Sequence, residues 1–227
     1  DMVFVRENTE DLYVGTHGFF RKGTPDEIAT QELLLTRKGT ERVMRYAFEF
    51  ARTRKRRRLT MVDKANAVRA YDLWTRAFEE LGREYPDVER DHAYIDAACM
   101  WMVKNPDRFD TVVVPNMFGD IITDLGAMLQ GGMGAAAGAN IHPGRAGMFE
   151  PIHGSAPKYA GRNMASPVAA VASVQLLLDF LGEEEAAAAV EEAIAASLQS
   201  RRIPDLTAHC GLATDRIGDL LAAQVRG

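Results

Sequence analysis

The stretch FDTVVVPNMFGDIITDLGAML, residues 109 to 129, reads as a buried strand followed directly by a helix. FDTVVVP, with its apolar run of three valines, reads as a buried strand, and Met117 to Leu129 follow with helical patterning. Asp120 and Asp124, four apart, share one helical face. That face either presents two oxygen donors to a hard divalent cation or is the polar edge of an ordinary amphipathic helix, where aspartates often serve as caps.

Working outward, the same alternation repeats. MVFV and LYVG read as short strands around the polar RENTED, and in TRKGTERVMRYAFEFART the apolar Val43, Met44, Ala47, Phe48 and Ala51 recur at helical spacing. LTMVDK reads as a buried strand, NAVRAYDLWTRAFEELG as a helix opened by Asn66 and closed by Gly82, VERDHAYI as a strand, and DAACMWMVKNP as a helix. This order predicts an α/β fold with at least partly parallel pairing, in which ligands collect at the carboxyl ends of the strands. Lys64 and Asn116 stand at such ends.

After Leu129 the composition shifts to QGGMGAAAGANIHPGRAG, too rich in Gly and Ala for a strong helix or a central strand, and it reads as a hinge or crossover between two domains. Three helical stretches follow, over SPVAAVASVQLLLDFLG, EEEAAAAVEEAIAASLQS and DRIGDLLAAQV, the last with the Thr214 hydroxyl as its expected N-cap. This part has few strands of its own, so its sheet partners are expected outside the chain. The opening DMVFVREN runs straight into a strand pattern and reads as the middle of a longer protein.

The 227 residues are 47% hydrophobic with a net charge of -5, enough for a real core and against the basic footprint of a nucleic-acid binder. The one basic run, RTRKRRR at residues 52 to 58, reads as a solvated turn rather than a polyanion site. Cys99 and Cys210 match no metal-ligand spacing and read as reduced thiols of a cytoplasmic protein. No apolar run is long enough for a membrane span.

Several side chains could carry chemistry, each with a plainer alternative. Lys64 follows the apolar LTMV directly and is either a desolvated general base or a surface lysine. Asp96 opens the next helix as a ligand or a cap. Arg6 offers a fork to a carboxylate and Tyr13 a proton. IHGSAPKYAG is a tight loop whose N–H groups could approach a phosphate, without GxGxxG spacing.

Taken together, VRENTEDLYVG, MVDKAN, IDAACMWMV, FDTVVVPNMFGDIITDLGAMLQGGMG and FEPIHGSAPKYAG resemble, in order and spacing, the β-decarboxylating dehydrogenases that act on isopropylmalate, isocitrate, homoisocitrate and tartrate or D-malate. The resemblance spans nearly the whole chain. It implies an isopropylmalate dehydrogenase-like two-domain fold: residues 1–131 as the central dimerisation domain with the substrate and metal site, and 132–227 as the C-terminal half of the cofactor domain. The family carries a long segment ahead of VREN, holding most cofactor-domain strands and further substrate arginines, which this chain lacks.

The resemblance also implies roles. Arg6 would hold a substrate carboxylate, Tyr13 and Lys64 would be catalytic, and Asn66 would lie near the nicotinamide. Asp96, Asp120 and Asp124 would surround Mg²⁺ or Mn²⁺, with Lys64 and Asp96 serving the neighbouring subunit of a homodimer. His153, Gly154, Ser155, Ala156 and Pro157, with Asp205, would bind the adenosine part of NAD or NADP. Lys158-Tyr159 leans towards NADP, because a lysine and a tyrosine can hold a 2′-phosphate that an acidic residue would repel. Ser166 stands where an asparagine is common before the proline, a departure from the family at one adenine contact.

The implied reaction is oxidation of a 2-hydroxy acid with a carboxylate on C3, a small-molecule substrate. Lys64 would remove the hydroxyl proton as hydride leaves C2, the metal would act as Lewis acid, and Tyr13 would protonate C3 after CO₂ departs. RENTED is isocitrate-like, whereas the remaining stretches look more like the isopropylmalate enzymes of leucine biosynthesis, so isopropylmalate is the favoured acid. The reading from another class is a non-catalytic dimerisation module, and gel filtration with a cofactor-binding assay separates the two.

Overall fold

In chain order, the computed structural model, which describes residues 1–142 and 146–226, runs through β1 (Val3–Arg6), β2 (His17–Phe20), β3 (Ile28–Gln31), α1 (Arg37–Thr53), β4 (Arg58–Asp63), α2 (Asp72–Leu81), β5 (Glu89–Tyr94), α3 (Ile95–Lys104), β6 (Thr111–Val114) and α4 (Asn116–Leu129). It continues through β7 (Ala137–His142), β8 (Ala146–Pro151), α5 (Val168–Phe180), α6 (Glu184–Gln199) and α7 (Thr214–Arg226). The chain divides into two compact units, Asp1–Gly126 and Ala127–Gly227.

In the first unit, four strands lie in the order β1-β6-β4-β5, and every pairing among them is parallel. Burial explains why these sequences became these strands: all of β6 is buried, as are five of the six residues of β4, which is the pattern of strands covered by helices on both faces. The core joins Met44, Ala47, Phe48 and Ala51 of α1 to Leu59, Met61 and Val62 of β4, Val112 to Val114 of β6, and Trp74 and Phe78 of α2. Phe48 stacks on Phe78 at 5.3 Å and on Tyr85 at 4.7 Å. Each buried side chain of this size contributes roughly 1.5–3 kcal/mol on leaving water. Thr36 caps α1 by accepting from the Gly39 N–H at 3.0 Å. Because the sheet is parallel, Arg6, Lys64, Ile95 and Pro115 all leave it at one edge.

The structure corrects several expectations. LYVG is no strand: Leu12–Val14 form a 3-10 turn between Asp11 and Gly15, both at positive φ (74° and 79°), which breaks extended pairing. The strands that follow are the unforeseen hairpin β2–β3, antiparallel and largely exposed. Asn66 does not open a helix, since residues 65–67 form a turn held by Ala67 and Val68 N–H groups on the Lys64 carbonyl, and α2 begins at Asp72. The basic run is not simply solvated. Arg54 pairs with the buried Asp110, Arg56 donates to the carbonyls of Phe109 and Asp107, and Arg58 pairs with Glu89 and Asp91, so three arginines fasten strand ends.

In the second unit, the segment read as a hinge supplies β7 and pairs it with β8 as an antiparallel ribbon, Ala137 opposite Pro151. Its Gly131 and Gly132, at φ 122° and 98°, form the bend before it, and its residues 143–145 lie outside the described residues. Helices α5, α6 and α7 pack around Val168, Ile203, Ile217 and Leu221. Thr214 is not the expected cap: its hydroxyl donates to the Ala165 carbonyl at 2.7 Å, and Asn163 Oδ1 receives the Asp215 N–H at 3.2 Å instead. Among the described residues, no helix is long and apolar enough to cross a membrane.

Candidate active site

The carboxyl edge of the four-stranded sheet collects two sets of polar side chains. The first gathers around Arg6, the last residue of β1. Its Nη1 donates to Asp120 Oδ1 at 2.8 Å, while Nε and Nη2 donate to Asn116 Oδ1 at 3.1 and 2.8 Å. Among the described contacts three of the five guanidinium N–H groups are thereby used, which leaves one on each terminal nitrogen for a further acceptor such as a carboxylate oxygen. Tyr13 closes the set by donating its hydroxyl to Asp120 Oδ2 at 3.0 Å. That bond, then the modest burial and the carboxylate charge, raises the Tyr13 pKa, so its phenol stays protonated well beyond neutral pH.

Sequence details make this set possible. A Cβ at Gly119 would meet Arg6 Cγ at 2.5 Å, so the arginine reaches Asp120 by lying across a glycine of α4. Asp120 and Asp124 are not caps, as α4 begins at Asn116 and has no acidic residue in its first turn. The side chain at that helix start is Asp11, fully buried, whose Oδ2 accepts from the Met117 N–H at 2.9 Å and whose Oδ1 accepts from the Tyr71 hydroxyl at 2.7 Å. Burial first, and the bond to Asp11 second, push the Tyr71 pKa far up. Asp11 sits at φ 74° and ψ -148°, a region almost reserved for glycine, where another residue costs on the order of 1–3 kcal/mol.

The second set lies on the other two strands. Lys64 follows β4 and donates from Nζ to Asp96 Oδ1 at 2.5 Å, Asp96 standing in the first turn of α3. Lys64 and the N–H groups of the helix start, that of Asp96 itself foremost, lower the Asp96 pKa. Behind Lys64, the fully buried Asp63 accepts from the Ala65 N–H at 3.1 Å, the Thr75 hydroxyl at 3.2 Å and His92 Nε2–H at 3.0 Å. The carboxylate fixes the histidine tautomer and, through that bond above all, raises the His92 pKa. No hydrogen bond or ion pair joins Lys64–Asp96 to Arg6–Asp120–Tyr13 among the described contacts. Asn66 is exposed in the turn after Lys64.

Among the described residues no group of three or more His, Cys, Asp or Glu side chains is placed to hold a metal ion within one chain. Asp120 and Asp124 are exposed on α4, and their hard oxygen donors suit Mg²⁺ or Mn²⁺, which keep several waters and need few carboxylates.

In the second unit, His153 to Pro157 form a loop leaving β8, with Gly154 and Ser155 exposed and Ala156 at φ 44°. A Cβ on Gly154 would meet nothing within 4 Å, so the backbone there is open to approach. Lys158 lays its ammonium 4.8 Å from the Tyr159 ring centre in the short 3-10 turn Pro157–Tyr159. Asp205 Oδ1 accepts from the Thr207 hydroxyl and N–H at 2.6 and 2.7 Å, which lowers its pKa. Ser166 donates to the Gly134 carbonyl at 3.5 Å. Cys99 and Cys210 are both free thiols.

The sequence reading passed over Asp11, Gly119, Asp63 and His92. An aspartate inside RENTED or a histidine inside VERDHAYI carries no periodic signal, because each works through a partner distant in sequence.

With this geometry in view, the comparisons define the class. Residues 1–221 match the model of the isocitrate/isopropylmalate dehydrogenase family, and the chain belongs to that family. It is 54% identical over 204 residues to the 3-isopropylmalate dehydrogenase of Frankia casuarinae, covering 88% of this chain and 60% of that one. To the 3-isopropylmalate dehydrogenase of Thermobifida fusca it is 50% identical, covering 99% and 63%. The chain thus spans less than two thirds of the length of these relatives. A crystal structure of isocitrate dehydrogenase from Methylococcus capsulatus superimposes with a TM-score of 0.92 at 40% identity, over 100% of this chain and 67% of that one. The mixed α/β architecture of the present chain, with its parallel sheet, accords with that fold.

Proposed function

We propose that the protein takes part in the oxidative decarboxylation of a 2-hydroxy acid bearing a carboxylate on C3, with 3-isopropylmalate as its acid. The observation that carries this reading is the Arg6–Asp120–Tyr13 set: a guanidinium with N–H groups left for a substrate carboxylate, a protonated phenol and a carboxylate at the ligand-bearing edge of a parallel sheet. The names of the curated relatives favour isopropylmalate over isocitrate, homoisocitrate or tartrate/D-malate.

Arg6 binds a substrate carboxylate with its two uncommitted N–H groups. Tyr13, kept protonated by Asp120, delivers a proton to the carbon that loses CO₂. Lys64 receives the hydroxyl proton, directly or through a relay, once Asp96 is drawn from it. The family resemblance gives the Lys64–Asp96 pair to the site of a second copy in a homodimer, and its separation from the Arg6 set within one chain is compatible with that role. Asp120 and Asp124, with Asp96 of the partner subunit, would hold Mg²⁺ or Mn²⁺, which supplies Lewis acidity when bound. The loop at His153 to Pro157, with Asp205, takes the adenosine part of NAD or NADP. The Lys158 ammonium over Tyr159 is suited to a 2′-phosphate, and Asn66 lies on the nicotinamide side.

The test is a panel of 2-hydroxy-3-carboxy acids given to the intact protein with NAD and NADP, with and without Mn²⁺. Metal-dependent formation of reduced cofactor with isopropylmalate is expected. Failure of every acid overturns the reading.

A further inference from the structure

We propose that Asp11 is a positioning residue that holds Tyr13 and the aspartate-bearing helix α4 in one frame. The inference rests on the dehydrogenase reading only for its catalytic consequence. Its physical basis is a mismatch between residue and backbone. At φ 74° and ψ -148° a glycine would sit without strain, yet the chain places a charged side chain there and buries it completely.

What that side chain does accounts for its presence. One carboxylate oxygen takes the Tyr71 hydroxyl at 2.7 Å, from the segment before α2, and the other takes the Met117 N–H at 2.9 Å, in the first turn of α4. Its own N–H donates to the Leu34 carbonyl at 2.8 Å. Three separate segments therefore meet at one residue. Tyr13 is two positions further along the same loop, and Asp120 is three positions beyond Met117 on the helix. The Tyr13–Asp120 bond at 3.0 Å closes a ring whose far side is the Asp11–Met117 bond. If the Asp11 carboxylate is removed, the helix start loses its side-chain acceptor and the Tyr13 loop loses its fixed point. Glycine at residue 11 would relieve the strain but leave that N–H without its carboxylate.

Asp11→Gly and Asp11→Asn, in the intact protein, separate positioning from mere folding. Asparagine keeps an amide oxygen for the Met117 N–H and has the same shape as the aspartate already held at this backbone conformation, so it should retain most of the parent's behaviour. Glycine should give a folded protein in which the Met117 amide exchanges faster and the ¹³Cζ resonance of Tyr13, assigned with Tyr13→Phe, shifts. Turnover should fall by as much as about a hundredfold, the scale of a 1 Å misplacement, with the KM for the acid little changed. A glycine variant with unaltered Met117 exchange and Tyr13 resonance overturns the proposal. If the glycine chain does not fold, Tyr71→Phe takes its place, removing one donor to the carboxylate: a shifted Tyr13 resonance supports the role, and an unmoved one overturns it. Should the intact protein oxidise no acid, the dehydrogenase reading fails, while the exchange and resonance measurements still decide the role of Asp11.

Discussion

The two polar sets at the carboxyl edge are built differently. Arg6, Tyr13 and Asp120 form a chain of mutual hydrogen bonds, steadied by Asn116, by the glycine under Arg6 and by Asp11 at the helix start. Lys64 and Asp96 form one ion pair with a 69% exposed carboxylate, backed by Asp63 and His92 and by the N–H groups at the start of α3. A set whose members hold one another is ready for a ligand as it stands. An ion pair tied to no other side chain of its set, its carboxylate held otherwise by helix-start N–H groups, can exchange its partner, as the proposed sharing of sites between two copies requires.

The sharpest way to break this contrast is to remove the chemistry of the exposed pair. Lys64→Ala should lower kcat by about 10²–10⁴-fold, the range for loss of a general acid or base, while moving thermal stability little, since exposed ion pairs contribute about 0–1 kcal/mol. Steady-state kinetics beside a melting curve checks both halves, and an unchanged kcat would remove Lys64 from the mechanism. Next in size, Arg6→Lys should raise the KM for the acid by about tenfold, because an ammonium cannot hold Asn116, Asp120 and a carboxylate together. If KM is unmoved, the free fork is not the carboxylate site.

Asp63→Ala probes what stands behind the exposed pair. It strands three donors around a buried position and should cost about 1–3 kcal/mol in denaturant unfolding. The smallest effect concerns pH. The His92 pKa is raised in the folded protein, so its contribution to stability is fully present below the ordinary value of 6.5 and fades as pH rises through the folded-state value. Melting temperatures across about pH 6 to 8 should decline less steeply in His92→Gln than in the parent. Equal slopes would show that the bond to Asp63 is not a titrating contact.

Much of the frame was legible beforehand. The apolar face of α1, the runs in β4 and β6 and the strand-to-helix change at Pro115 carry their period in neighbouring residues, so local order reveals them. The misreadings share a cause. LYVG has strand composition, but the positive φ values at Asp11 and Gly15 turn it, and RTRKRRR looks solvated until Asp110 and the carbonyls near Phe109 come beside it. Asp120 and Asp124 could not be separated from helix caps by spacing, because the residue at that helix start, Asp11, lies over a hundred positions away in sequence.

The sequence by itself determined the α/β class, the placing of Lys64 and Asn116 at strand ends, and the family to which the chain belongs, since periodicity and motif order are local properties. Only the tertiary structure decided that Arg6 crosses Gly119 to reach Asp120, that Tyr13 meets the same carboxylate, and that Lys64 and Asp96 pair apart from them. Those contacts follow from parallel strands being brought side by side in the order β1-β6-β4-β5, an order fixed by packing of the whole sheet rather than by any one of its strands.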